Sequence, residues 1–203
     1  MTIREKSRSW VPFEGIPEER GPGGWVALSK PKFGLRVILA VVTMVFSLLL
    51  VAYVSRMQIG DWRPLPEPSI LWLNTLLLVF SDGALEWGKR LWERGNFVRV
   101  RMALLAAGLF GFCFLAGQLV AWRQIHDSGY LLEGNPATSF FYLITLVHGL
   151  HLVGGLVAWL RTYLRFNSGT ALLKIRGSIE LCALYWHFLL VVWLVFYGLM
   201  LST

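Results

Sequence analysis

Five apolar stretches divide the chain, at 37–53, 70–87, 102–122, 134–160 and 179–201, with charged or proline-bearing segments between them. Each is long enough to cross a hydrocarbon layer as a helix, and far longer than a tilted barrel strand needs. A spanning helix satisfies its own backbone hydrogen bonds, so this pattern predicts helices. The fourth stretch is the clearest, with no charged side chain in the 27 residues from Gly134 to Leu160. The expected fold is an all-α membrane protein: a bundle of five transmembrane helices over 37–203, after a polar tail over 1–36.

The polar residues inside these stretches are the candidates for chemistry. His148 and His151 stand at i and i+3 on the fourth helix, so their rings share a face. An imidazole in hydrocarbon needs hydrogen-bond partners, which turns that face toward protein, water or a lipid headgroup. Gly154 and Ala158 on the same helix make a small-xxx-small pair suited to close approach of a neighbour. Glu180 and His187 lie seven apart on the fifth helix and so also share a face. By helical rise His187 is roughly 12 Å from one end and His151 roughly 15 Å, a matching depth if the last two helices are neighbours. Glu180 is expected at the edge of the span near Lys174 and Arg176, and with His148, His151 and His187 it is expected to form a polar seam.

The second stretch is the most polar, with Asn74, Asp82 and Glu86. The two acids are i,i+4 like charges, and both are expected to reach the interface and pair with Lys89 and Arg90; the other role open to Asp82 is proton carriage. Gln118 is the one strongly polar group of the third helix and is suited to bonding across helices. Small pairs Ala107/Gly111 and Gly117/Ala121 favour close packing there. His126 reads as a solvated loop histidine.

Composition narrows the class. Hydrophobic types make up 56% of the 203 residues and charged types 15%, too few charges for an ordinary soluble domain. The net charge of +7 does not signal nucleic acid, because the charges sort by segment. Sixteen of the nineteen Lys and Arg fall in the tail, the second-to-third loop and the fourth-to-fifth loop. The positive-inside rule then predicts a cytoplasmic N-terminus and an outside C-terminus. Trp62, Trp87, Trp122 and Trp159 fall near predicted span ends, as an aromatic belt would. Cys113 and Cys182 form no CxxC and read as small core residues. The first 30 residues are polar and charged and do not read as a cleavable signal peptide.

Three uses of the histidine seam compete on residues alone. A protein-bound metal would need more ligands than four scattered residues guarantee. A bis-histidine haem needs one imidazole from each of two helices, which His151/His187 or His148/His187 could supply. The third use is structural, with histidines holding helices together and gripping lipid headgroups or water.

The segments TLVHGLHLVGG (145–155) and YWHFLLVVWLVFYGL (185–199) resemble signature segments of haem–copper oxidase subunit III. LWLNTLLLVFSDGALEW and FLAGQLVAWRQI resemble helices of its short, five-helix bacterial form, and the likeness spans about 37–200. The resemblance implies a subunit without catalytic residues, haem, copper or other metal, in the inner (cell) membrane of a bacterium. Its partners would be subunit I, subunit II and other respiratory subunits, which hold the haem and copper, and its cleft would bind phospholipid. It implies support of proton uptake and stability in an enzyme reducing O2 to water. His148, His151, Glu180 and His187 match motif positions and would line the interior near that cleft, leaving Asp82, Glu86 and Gln118 for a proton or interface role. Other readings are the subunit III-like accessory protein of a nitric oxide reductase and, from a different class, a haem b-bearing electron carrier. Three departures stand out: no acid in the first helix, where Val42 or Thr43 falls near its place; Leu190 where many members have aspartate; and Ser81–Asp82 in place of two small hydroxyl residues.

Overall fold

The computed structural model describes residues 30–60, 62, 69–129, 135–168 and 172–202; the first 29 residues of the tail and the prolines at 64–68 lie outside them. Every described element is an α-helix: α1 Lys30–Met57, α2 Ile70–Glu93, α3 Phe97–Asp127, α4 Pro136–Asn167 and α5 Leu172–Leu201. All five are long and apolar enough to cross a membrane, so the chain is a multi-pass membrane protein.

The helices run past the apolar stretches that announce them. α2 continues through Lys89 and Arg90 to Glu93, and α1 starts at Lys30, ahead of position 37. Charge ends a membrane span but not a helix, since the backbone ladder is as good in water as in lipid. The turn from α2 to α3 is therefore tight. Gly95 takes a left-handed backbone (φ 70°), and the Asn96 side chain caps α3 by accepting from the Arg99 N–H at 3.3 Å. Asn135 caps α4 in the same way through Ala137 N–H at 3.1 Å, with Pro136 opening the helix.

α2 packs on α3 and α5, and α4 on α3 and α5, closing a four-helix core; α1 lies outside it, against α4 and α5. Small residues set the closest approaches. Gly108 and Gly111 on α3 sit beneath Trp159 and Leu156 of α4, Gly117 lies against Asn74 of α2, and Gly155 of α4 faces Tyr185 and Trp186. The expected pair Gly154/Ala158 does not make such a contact, because α4 turns Gly155 inward instead. Gly154 and Ala158 face an open cleft. Cys182 is buried as expected, but Cys113 is exposed on the outer face of α3.

Candidate functional site

Indole N–H groups tie the core together. Trp186 donates to Ser81 Oγ at 2.8 Å, and Ser81 donates onward to the Ala107 carbonyl at 2.7 Å, linking α5, α2 and α3. Trp193 donates to Thr75 Oγ1 at 3.0 Å, and Trp159 to the Leu104 carbonyl at 2.9 Å. Trp122 donates to Thr145 Oγ1 at 2.9 Å. Each bond satisfies a donor that lipid could not. Trp159, expected in an interfacial belt, is buried, because Gly108 leaves room for its ring on α3. Of the four tryptophans so read, Trp87 is exposed.

The four residues expected to form one seam are divided among three places. His148 is buried in the core (1% exposed), with its ring 5.2 Å from Trp193, 5.7 Å from Phe114 and 6.3 Å from Phe46 between centroids. Neither of its nitrogens meets a protein partner. His151 is half-buried beside Phe46, and its Nδ1–H donates to the Val147 carbonyl at 2.7 Å. A carbonyl can only accept, so that bond fixes the proton on Nδ1.

Glu180 lies at the end of the bundle beside Arg176, as its place in the sequence leads one to expect, and not in the interior that the resemblance implies. It pairs with Arg176 at 3.0 Å and with Lys32 of α1 at 3.6 Å, while Arg176 also reaches Glu93 of α2 at 4.0 Å. The side chain of Lys174 lies outside the described residues. His187 shares a helix face with Glu180, as the spacing requires, but that face points away from His148. Its ring is 69% exposed, and Nδ1 stands 3.2 Å from Asp82 Oδ2. The two imidazoles that a bis-histidine haem would need are thus not brought face to face.

Glu86 pairs with Lys89 at 3.4 Å and Arg90 at 3.5 Å, as expected, but Asp82 turns to His187 instead. Gln118 is buried, and its amide bonds to no other protein group; the same holds for Asn74. The bond across helices expected of Gln118 is not formed. His126 is exposed as expected, though in the last turn of α3 and not in a loop. Among the described residues no three His, Cys, Asp or Glu side chains converge as a metal site.

A cleft of about 520 Å³ opens between α1, α4 and α5. Leu35 and Ile38 of α1, Gly154 and Ala158 of α4, and Leu181 and Tyr185 of α5 are among its walls. The Lys32–Glu180–Arg176 cluster ties α1 to α5 but is not among the cleft's walls; Glu180 and Arg176 instead line a small hollow with Lys89, Trp92 and Glu93 of α2. Hydropathy patterns do not single out this cleft or the bonds of Ser81 and Thr75. An indole in an apolar stretch does announce that it needs an acceptor.

Fold and site together define a polytopic helical membrane protein whose polar groups mostly serve helix contacts. The sequence model of the family cytochrome c oxidase subunit III matches residues 32–202. The chain belongs to that family. It is 30% identical over 138 residues to a probable cytochrome c oxidase subunit 3 of Mycobacterium tuberculosis, covering 66% of this chain and 68% of the relative. It is 26% identical over 191 residues to the cytochrome c oxidase subunit 3 of Corynebacterium diphtheriae (89% and 93% covered). The corresponding protein of Synechocystis is 28% identical over 171 residues (81% and 72% covered). The chain is accordingly a terminal oxidase subunit that partners other oxidase subunits.

Proposed function

We propose that this chain is the non-catalytic subunit III of a proton-pumping oxidase in a bacterial inner membrane, packing on subunit I and keeping phospholipid in the cleft between α1, α4 and α5. Haem and copper, and the reduction of O2 to water, belong to the partner subunits; this chain supports proton uptake and stability. The tail and the α2–α3 and α4–α5 turns face the cytoplasm, where most of the Lys and Arg then lie.

The observation that carries the lipid role is the cleft itself. Its apolar walls suit an acyl chain. His148 and His151 then serve the packing of α4 against α1 and α5 beside the cleft, not the grip on the headgroup.

The test is to fill the cleft. A Cβ at Gly154 meets nothing within 4 Å, so Gly154→Leu, combined with Ala158→Phe, occupies the space without disturbing the core. Purified through a tag on this chain, the wild-type complex is expected to carry subunit I and tightly bound phospholipid. The double variant keeps subunit I and the oxidase haem spectrum but loses lipid. Unchanged lipid content in the double variant would refute the lipid role. Emergence of the chain alone with stoichiometric haem b would refute the whole assignment.

A further inference from the structure

Three side chains in the four-helix core are buried with every polar atom unpaired. Asn74 of α2 is 0% exposed, Gln118 of α3 5% and His148 of α4 1%, and neither polar atom of any of them meets a protein partner. An amide left so in a dry core loses its hydration and gains nothing in return, and lipid offers no substitute. The three are not scattered. Asn74 packs on Gly117, the residue before Gln118. Gln118 lies one turn from Phe114, whose ring is 5.7 Å from that of His148. It lies one turn the other way from Trp122, which donates to Thr145, three residues before His148. Trp193 of α5 closes the circle: its ring is 5.2 Å from His148, and it donates to Thr75, the neighbour of Asn74. All four core helices meet in this one layer.

The chemistry of the layer says what completes it. Each amide offers an oxygen that accepts and an NH2 that donates, and a neutral imidazole offers one nitrogen of each kind. Among the described residues no charged side chain is buried, so nothing here would balance an ionic guest. A cation would meet the N–H groups, and an anion the carbonyl oxygens. An apolar guest would leave all six atoms unpaired. The group that fits is small, neutral and able to donate and accept at once, which is water. Thr138 extends the same face of α4 toward the end where that helix begins, seven residues before Thr145. Its hydroxyl is also fully buried and unpaired, which puts a further polar stop between the layer and that end of the bundle.

From this we infer that the core holds an internal water site at this layer, where ordered water bridges Gln118 to Asn74 and to His148. The bond across helices that Gln118 does not make directly is then made through water, and α2, α3 and α4 are pinned at one level by a hydrated joint. One turn or two further along the bundle the core is dry, because there Trp186, Ser81 and the Ala107 carbonyl pair among themselves. The inference concerns the interior of this chain and does not depend on which lipid or partner its surface meets.

Two buried tryptophans provide the test, since Trp193 stands beside the layer and Trp186 outside it. Short-pulse X-ray radiolysis turns bound water into hydroxyl radicals, which oxidise adjoining side chains even where bulk solvent does not reach. In the full chain, purified with its partner subunits, Trp193 is expected to be oxidised about tenfold faster than Trp186. Gln118→Met keeps the length of the side chain and removes its hydrogen bonding. In a dry core that change deletes a liability and raises the melting temperature; in a hydrated joint it strands water, Asn74 and His148, and lowers it. The expected result is a lower melting temperature, with Trp193 oxidation falling to the rate of Trp186. Equal oxidation of the two tryptophans in the unsubstituted chain would overturn the inference. So would a Gln118→Met protein that melts at or above wild type, or one in which Trp193 is oxidised as fast as before. If that variant fails to assemble, the contrast between the two tryptophans in the unsubstituted chain decides alone.

Discussion

The side of α5 that meets α2 and α3 and the side that meets α1 are built on different rules. Toward α2 and α3, buried Trp186 and Trp193 donate to Ser81 and Thr75, and the helices close on small residues. Toward α1 there is a cleft, and the contact is carried by a few rings such as Phe46 on Phe196, 5.7 Å apart. The central apolar window of α1 is the most apolar of the five such windows yet the least buried, with 17% of it inside the protein against 50% for α5. In water the most apolar helix would be expected at the centre. In a bilayer lipid solvates leucine as well as protein does, so apolarity alone draws no helix inward. Donors needing acceptors, and glycines that let backbones close, decide which helices pack.

The largest test of this difference is to add carbon to each side. A Cβ at Gly108 would overlap the Trp159 ring, and one at Gly117 would overlap the Asn74 side chain. Gly108→Leu and Gly117→Leu are each expected to cost roughly 3 kcal/mol or more, at the upper end of overpacking, and to abolish a cooperative thermal transition in detergent. Gly34→Leu and Gly154→Leu, on the cleft side, meet nothing within 4 Å and should melt within a few degrees of wild type. Equal damage on both sides would show that α1 is as tightly held as the rest.

How much of this is legible in the sequence follows from the same logic. The five spans can be read because hydropathy reports solvent, and solvent is what each run of residues meets on its own. Contacts between helices are another matter. The spacing of Glu180 and His187 correctly puts them on one face, but that the face points outward depends on Asp82, 105 residues away in the chain. Trp159 stands near the end of an uncharged run and so reads as interfacial, yet the space it fills is made by Gly108 of another helix. The inward glycine of α4 is Gly155, not Gly154; adjacent positions differ by 100° around a helix, and nothing local says which is turned toward α5.

A middle-sized test removes single donors. Trp186→Phe deletes the bond to Ser81 and some ring volume in the core, and Trp193→Phe does the same at Thr75. Each is expected to cost about 1–2 kcal/mol, read as a lower melting temperature in detergent. Ser81 keeps its own bond to the Ala107 carbonyl, so Trp186→Phe leaves no buried hydroxyl stranded. Phe46→Leu, on the α1 side, removes ring contacts but no hydrogen bond and should cost less. A larger loss for Phe46→Leu than for either tryptophan would reverse the ranking of the two sides.

The smallest expected effect is at the ion cluster that ties α1 to α5. Glu180 holds Lys32 of α1 and Arg176 of its own helix, but the side chains are 29%, 50% and 54% exposed, so solvent screens both pairs. Exposed ion pairs contribute about 0–1 kcal/mol, so Glu180→Ala should leave the melting temperature nearly unchanged. Its effect should fall on the cleft instead: with α1 no longer tied at its first turns, bound phospholipid exchanges faster, by up to about fivefold if the pairs contribute their full 1 kcal/mol. Raising the salt concentration should bring wild-type exchange toward that of the variant, because screening weakens the same pairs. The melting gap between wild type and Trp186→Phe should not respond to salt, since an indole–hydroxyl bond in a sealed core carries no net charge. Slow, salt-independent exchange in both proteins would mean that the apolar walls alone retain the lipid and the ion cluster does not gate it.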